Sequence, residues 1–156
     1  MKYEEAVQAI QPGRYLHFKG NTYEVIGIAR HSETEEPLVV YRALYGDGGL
    51  WVRPADMWNE TVERGGKTYK RFYRLDRIER VEQYEQLFDE ASVHPNKEAL
   101  RLLDAYLTSG QWLEDYEADE HGEFPPDMKR GVLAQDALYN LLERAQNEGL
   151  CTDNGI

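Results

Sequence analysis

At 156 residues, the chain is long enough for one domain or for two small ones. Hydrophobic residues make up 41% of it, too many for a disordered chain, and no apolar run approaches the roughly 20 residues that a bilayer-spanning helix needs. The stretch MKYEEAVQAI lacks the apolar segment of a secretory signal, and the single Cys151 excludes an internal disulfide and a cysteine-based zinc cage. We therefore expect a cytoplasmic protein with no membrane partner.

The charge is distributed unevenly along the chain. Residues 1–75 contain 11 Lys and Arg against 10 Asp and Glu, a net charge of +1, whereas residues 76–156 contain 7 against 19, a net charge of −12; together they give the −11 of the whole chain. This asymmetry predicts two units, a domain at 1–75 and an acidic domain at 76–156. An acidic surface repels phosphate, so we expect no duplex nucleic acid as a partner.

The first 75 residues carry the pattern of a small β domain. A short amino-terminal helix is predicted from apolar residues at helical spacing, namely Tyr3, Ala6, Val7 and Ile10. Five short runs of branched and aromatic residues follow, separated by turn-forming residues: RYLHF, TYEVIGIA, PLVVYRAL, LWVRP and YKRFYRL. This pattern predicts a small SH3-like antiparallel β-barrel, with the helix closing one open end.

The glycine-rich stretch 46–49, GDGG, lies between two of the predicted strands. A phosphate-binding glycine loop would lead into a helix whose N–H groups point at the anion. The residues that follow, LWVRP, are instead typical of a strand, and neither G-x-G-x-x-G nor Gly-Lys-Ser/Thr is present. Asp-Gly supplies the positive φ angles of a tight turn, so the stretch predicts a hairpin and not a nucleotide loop.

Aromatic and positive residues around this turn form a candidate ligand site. Alternation places Tyr41 and Tyr45 on one face of their strand, and Trp51 and Arg53 on one face of the next. Indole and guanidinium groups together can stack on a planar ligand or hold an anion, and Asp47 could orient the arginine. The complete candidate site is Arg30, His31, Tyr41, Tyr45, Asp47, Trp51 and Arg53.

The alternative for these residues is structural. A small barrel uses most of its aromatic residues in its interior, so Tyr41 and Trp51 could pack in the core. Arg53 would then pair with Asp47 or Asp56, because an arginine is seldom buried without a partner.

After Leu75 the apolar residues recur at helical spacing. The stretches VHPN, Ser109-Gly110 and HGEFPPD interrupt the pattern, because proline and glycine end helices. The second half is therefore predicted to be an all-α module of three to four helices, which makes the whole chain an α+β protein.

The acidic stretch EDYEADEHGE begins with the spacing of an EF-hand loop, but it has glutamate where the loop requires glycine and proline where it requires glutamate. On a helix, Asp115 and Asp119 share a face near His121 and could hold a divalent ion loosely. The alternative, which we favour, is an acidic turn restrained by Lys129 and Arg130. We predict no metal site and no cofactor.

Two sets of motifs resemble known families. Residues Pro12 to Val62 contain PG-x-Y-x-HFKG, A-x-HSE, VVYR-x-LYGD and WVRP, which are similar to the bacterial domain-of-unknown-function family 1653, expected to extend to about Leu75. Residues Trp112 to Glu143 contain W-x-EDYEADE, KRGVL and YNLL, which resemble domain-of-unknown-function family 4298, expected from about Asp76 to Glu148. Met57-Trp58 departs from the Met-Phe expected in the first family. The resemblance implies two fused modules and carries over no catalytic residues.

Three functions are compatible with the sequence. The first is a non-catalytic binding module whose aromatic and basic barrel face takes a small planar or anionic, nucleotide-like ligand or a peptide. The second is an interaction or adaptor protein that binds a protein partner through its acidic helical half. The third is a small enzyme that acts on a nucleotide-like substrate, but no catalytic serine, base or carboxylate pair can be assembled from the spacing. We expect the first.

Overall fold

The computed structural model describes residues 1–149, so Cys151 lies outside the described part of the chain. The chain divides into two compact units, Met1–Asp76 and Arg77–Ile156. Within residues 1–149, no helix is both long and apolar enough to cross a bilayer.

Unit 1 consists of a short helix, an antiparallel sheet and a separate hairpin. Its elements are α1 (Tyr3–Ala9), β1 (Gly13–His17), β2 (Thr22–Arg30), β3 (Pro37–Ala43), β4 (Leu50–Pro54), α2 (Ala55–Trp58), β5 (Thr61–Arg64), β6 (Lys67–Lys70) and β7 (Phe72–Arg74). Five strands form one sheet in the order β4-β3-β2-β1-β7, and β5 pairs with β6.

The core of unit 1 lies on one face of the five-stranded sheet. Helix α1 contributes Ala6, and Ile10 follows at its end; both side chains are buried against the sheet. The strands contribute alternate residues, because every second side chain of a strand projects to the same face. The buried members of this core are Ala6, Ile10, Tyr15, Val25, Val39, Tyr41, Ala55, Trp58 and Phe72.

The sheet is open, and the expected closure into an SH3-like barrel is not confirmed. Strands β4 and β7 are the two edges, and they are not neighbours in the sheet that residues 1–149 form. The hairpin predicted at GDGG does join β3 to β4: the Ala43 N–H donates to the Gly49 carbonyl, and Gly46 and Gly48 have positive φ. The loop spans residues 44–49 and is therefore longer than a two-residue turn.

The run YKRFYRL forms two strands and not one. Residues up to Lys70 pair with β5, whereas Phe72 to Arg74 pair with β1. The chain changes partner at Arg71, whose N–H donates to the Glu60 carbonyl at 3.0 Å. Both β5 and the short helix α2 were missed by the sequence pattern, because four residues are too few to show a period.

Unit 2 is helical in its described part, as expected. Its elements are α3 (Leu75–Val93), which begins just before the boundary, α4 (Lys97–Thr108), α5 (Gln111–Glu120), a 3-10 turn (Gly131–Leu133) and α6 (Ala137–Asn147). Asn96 caps α4, because its side-chain oxygen accepts a hydrogen bond from the Ala99 N–H at 2.9 Å. Buried leucines on α4 and α6 form much of the core: Leu100, Leu103, Leu138, Leu141 and Leu142.

Candidate functional site

The register of the strands collects aromatic residues on one face of the sheet in unit 1. Directly opposed residues of antiparallel strands project to the same face. His17 lies opposite Phe72, and Tyr41 lies opposite Trp51. We call the following set the aromatic face: His17, Tyr23, Tyr41, Tyr45, Trp51, Arg53, Trp58 and Phe72.

The base of the aromatic face is a buried aromatic stack. The ring of Trp58 from α2 lies on the ring of Phe72, with 3.6 Å between centroids and 5° between planes. Tyr41 meets the indole edge-on at 5.0 Å, and Tyr23 meets Phe72 edge-on at 5.7 Å. These contacts fix the base rigidly, because each ring is held by more than one neighbour.

The rim of the aromatic face is polar and partly exposed. The hydroxyl groups of Tyr23 and Tyr45 are hydrogen-bonded at 2.8 Å, and Tyr45 is 49% exposed. Burial, followed by this hydrogen bond, raises the pKa of Tyr23 to about 12. The Tyr23 hydroxyl therefore stays neutral at physiological pH.

Positive groups surround the aromatic face. Burial lowers the pKa of His17 below its usual value, and the charges of Arg71, Lys19 and Arg53 lower it further. The Nδ1 atom of His17 accepts a hydrogen bond from the Lys19 N–H at 3.2 Å, which leaves Nε2 as the protonated nitrogen of the neutral ring. His17 thus offers an N–H donor near two arginines.

The arginines have unused donors. The Nε atoms of Arg53 and Arg71 are both buried without a hydrogen-bond partner. Arg71 reaches Glu60 through another nitrogen at 3.4 Å, whereas no ion pair involving Arg53 occurs within residues 1–149. A buried guanidinium N–H without a partner costs free energy.

The carboxylates that could have locked Arg53 are engaged elsewhere. Asp47 accepts a hydrogen bond from the Gly49 N–H at 3.1 Å and so stabilises its own turn. Asp56 pairs with the amino group of Met1 at 3.0 Å. The geometry therefore does not support the prediction that Asp47 orients the side chain of Arg53.

Of the seven sequence-predicted site residues, Tyr41 lies opposite Trp51, Arg53 lies opposite Val39 on the same face, and Tyr45 and Asp47 lie in the loop that joins β3 to β4. The structure does not bring Arg30 and His31 there. Arg30 lies over the ring of Tyr3 in α1, 3.8 Å from its centroid, and His31 accepts hydrogen bonds from the N–H groups of Glu33 and Thr34. Arg30 ends β2 opposite Pro37, and His31 follows it in the loop to β3.

Five contributors were missed by the sequence reasoning: His17, Tyr23, Trp58, Arg71 and Phe72. Alternation in RYLHF and TYEVIGIA could have placed His17 and Tyr23, since both lie on the face that carries Tyr15. No short-range signal could have placed Phe72, because its position depends on the long-range pairing of β7 with β1.

In unit 2, the acidic motif is part of an internal network. Asp115 is fully buried and accepts hydrogen bonds from Arg80 at 3.0 and 2.5 Å and from the Tyr106 hydroxyl at 2.6 Å. Asp119 pairs with Arg130 at 2.8 Å. Within residues 1–149, no group of three or more His, Cys, Asp or Glu side chains is arranged to hold a metal ion.

The KRGVL segment is bound to the helices through its backbone. Glu85 of α3 accepts a hydrogen bond from the Val132 N–H at 2.7 Å, and Trp112 of α5 donates to the Val132 carbonyl at 2.9 Å. A Cβ atom at Gly131 would lie 3.3 Å from a Glu85 carboxylate oxygen, so glycine permits this close approach. Lys129 pairs with Asp89. The motif residues of unit 2 thus have structural partners.

The fold and the site define an α+β protein in which an open sheet with an aromatic, basic face precedes a helical unit. Residues 13–74 match the model of a family described as a protein of unknown function, DUF1653, and residues 70–150 match a domain of unknown function, DUF4298. The chain belongs to DUF4298 and carries the DUF1653 domain in tandem before it, as the sequence motifs predicted.

One solved structure is similar to the first part of the chain. It is the crystal structure of a protein belonging to DUF1653 from Bordetella bronchiseptica, with 43% sequence identity and a TM-score of 0.40. The similarity covers 42% of this chain and 87% of that one. No match was found among curated proteins.

Proposed function

We propose that unit 1 is a non-catalytic binding module for a small planar anion of nucleotide-like chemistry. The observation that carries this proposal is the guanidinium group of Arg53, which has a buried Nε without a partner on an aromatic face. The exposed indole of Trp51 supplies a stacking surface next to it. The proposal needs only the face of the open sheet and does not depend on closure into an SH3-like barrel.

Each part of the ligand has a matching group on the protein. The acid would accept hydrogen bonds from Arg53, from Arg71 and from the Nε2 of His17, and charge-assisted bonds of this kind are the strong ones. The planar ring would stack on Trp51 between Tyr45 and the sheet. Binding is favoured over catalysis because Tyr23 has a pKa of about 12 and His17 already uses Nδ1 for the Lys19 N–H.

The second candidate, a partner bound through the acidic helical half, has weaker support. Two acidic residues of the stretch EDYEADEHGE are already paired within unit 2: Asp115 with Arg80, and Asp119 with Arg130. A charge that is already paired contributes less to an external interface. We also propose a reducing compartment such as the cytoplasm, on the sequence evidence of a single cysteine.

Substitution of Arg53 by glutamine tests the proposal. We expect the Arg53→Gln variant to bind a nucleoside monophosphate or naphthalene-1-sulfonate about 10- to 100-fold more weakly, because one charge-assisted contact contributes about 1.5–3 kcal/mol. Its melting temperature should change by no more than a few degrees, since the substitution removes an unsatisfied donor. Isothermal titration calorimetry and amide chemical shifts measure the binding.

The control for this test is Arg42→Gln. Arg42 lies on the same sheet but projects to the other face, where it pairs with Glu24 at 3.2 Å. The Arg42→Gln variant should bind the same probes with the affinity of the wild type. A neutral nucleoside and inorganic phosphate each supply only half of the ligand and should bind much more weakly. If the wild type binds none of these probes, or if both arginine variants lose binding equally, the proposal is wrong.

Ligand binding should also depend on pH through His17. Its pKa is lowered in the free protein, so the ring is neutral at pH 7, and a bound anion would stabilise the charged ring and raise that pKa. Affinity for naphthalene-1-sulfonate, whose charge is constant, should therefore increase as the pH falls from about 7.5 to about 5.5. Calorimetry across this range measures the trend, and His17→Gln should abolish it. A pH-independent affinity in the wild type would exclude His17 from the site.

A further inference from the structure

The edge strand β4 has two features that the proposed ligand site does not explain. It pairs with β3 on one side and with no strand of residues 1–149 on the other. Three consecutive apolar side chains on it are largely exposed: Leu50 by 66%, Trp51 by 59% and Val52 by 62%. Exposed apolar edges of this kind pair readily with another strand, and proteins usually protect them with charges, bulges or a covering segment.

The hydrogen-bond pattern shows which backbone groups of β4 are unused. The Gly49 carbonyl accepts from the Ala43 N–H, so residues 49, 51 and 53 direct their backbone groups toward β3. Leu50, Val52 and Pro54 therefore direct theirs outward. Proline has no N–H to satisfy, which suits the end of an edge strand. The free edge thus offers the N–H and C=O groups of Leu50 and Val52, whereas the Pro54 carbonyl caps α2 and accepts the first bond of that helix.

We propose that two copies of this chain pair antiparallel through β4, with Val52 opposite Val52 of the second copy. In this register, the two Val52 residues exchange N–H and C=O bonds. The two sheets join into one continuous sheet. The pairing is isologous, because each copy uses the same strand.

The side chains of β4 are complementary to themselves in this register. Trp51 lies opposite Arg53 of the second copy on the aromatic face, which pairs an indole with a guanidinium group and keeps the two arginines apart. On the other face, Leu50 and Val52 of both copies form one apolar stripe. This self-complementarity makes a second copy the occupant that the sequence LWVRP favours.

The charges of the chain allow this association and make it dependent on salt. Residues 1–75, which contain β4, have a net charge of only +1, so repulsion at the interface is small. The whole chain has a charge of −11, and salt screens the repulsion between two copies. The dimer should therefore strengthen as salt is raised. Trp51 and Arg53 also belong to the proposed ligand site, so a bound ligand and the second copy would compete for these two side chains.

The test uses the full chain at increasing concentration. Sedimentation velocity should show a species of twice the 18.1 kDa chain mass, and hydrogen exchange at the amides of Leu50 and Val52 should slow as the dimer forms. The Val52→Pro variant should remain monomeric and folded, because it removes an outward donor and leaves the bonds to β3 intact. Val52→Thr keeps that donor and a branched side chain, and it should still dimerise.

Several outcomes would overturn this inference. One is a wild type that stays monomeric at about 1 mM in high salt, or amides of Leu50 and Val52 that exchange freely in a dimer. Another is a Val52→Pro variant that is folded and still dimeric, which would assign the association to another surface. Capture of an unrelated peptide on β4 in place of the second copy would also contradict it. His17→Gln, which changes a residue outside β4, should leave dimerisation within about threefold of the wild type, which separates this result from failure of the ligand proposal.

Discussion

Trp58→Ala is expected to destabilise unit 1 by about 3–5 kcal/mol, whereas Trp51→Ala should cost less than about 1 kcal/mol. The two tryptophans are seven residues apart and have opposite environments: Trp58 is 2% exposed and Trp51 is 59% exposed. Removing Trp58 leaves a cavity beside Phe72 and takes away an edge contact of Tyr41. Removing Trp51 takes away surface that water already contacts.

Urea unfolding of both variants measures this difference. Because the two units could unfold separately, the signal should report on unit 1 alone, for example through hydrogen exchange at the β2 and β3 amides. Trp58→Phe serves as a control that keeps a flat ring on Phe72, and it should recover part of the lost stability. Similar losses for Trp51→Ala and Trp58→Ala would show that the stack on Phe72 is not the base of the site.

These expectations differ from those of the sequence alone, where Trp51 was the candidate for burial. Tyr41, in contrast, is buried in the core, as the structural alternative predicted. Alternation correctly places Trp51 and Arg53 on one face of β4, but it says nothing about how deeply either side chain is buried. Trp51 is exposed because β4 is an edge strand and no strand covers it on the outer side within residues 1–149. Strand order is a long-range property, and periodicity contains no information on it.

Local signals were sufficient for the elements with strong patterns. The turn residues at 46–49 and the branched runs on either side predicted the β3–β4 hairpin. The proline and glycine breaks predicted the separate helices after Leu75. Closure into a barrel was not predictable in this way, because it depends on whether β4 and β7 meet, and these strands are separated by the β5–β6 hairpin along the chain.

The candidate site could be predicted only in part, for the same reason. Arg53 and Trp51 are close in sequence, so alternation brings them together. His17 and Arg71 lie far from β4 in the sequence. The effect of the Arg71 and Arg53 charges on the pKa of His17 exists only when the sheet is assembled. The unused Nε atoms of Arg53 and Arg71 are likewise properties of the packed structure.

Asp115→Ala is expected to destabilise unit 2 by about 3 kcal/mol. The substitution leaves the Tyr106 hydroxyl buried without its acceptor and leaves Arg80 without its carboxylate. This loss in the free energy of unfolding is at the lower end of the range for a broken buried ion pair. The reason is that the side chain of Arg80 is 28% exposed and can reach water. Burial and the bond to Asp115 raise the pKa of Tyr106 well above its usual value, so this hydroxyl remains a donor.

Tyr106→Phe and Glu98→Ala provide the comparisons for this loss. Tyr106→Phe removes one donor and should cost about 1–2 kcal/mol, while its ring stays stacked on Tyr84 at 3.8 Å. Glu98→Ala breaks the exposed pair with Arg101 and should leave the stability of unit 2 essentially unchanged, because water screens this pair. Urea unfolding with hydrogen exchange at α4 amides measures all three.

The result also decides between two roles for the acidic motif. A large loss for Asp115→Ala means that the buried carboxylate holds α3, α4 and α5 together through Arg80 and Tyr106. It is then unavailable to a basic partner, and the acidic residues that could bind one are those on the surface. If Asp115→Ala is as stable as Glu98→Ala, the network is not structural, and a partner bound through the acidic half becomes the stronger explanation of the motif.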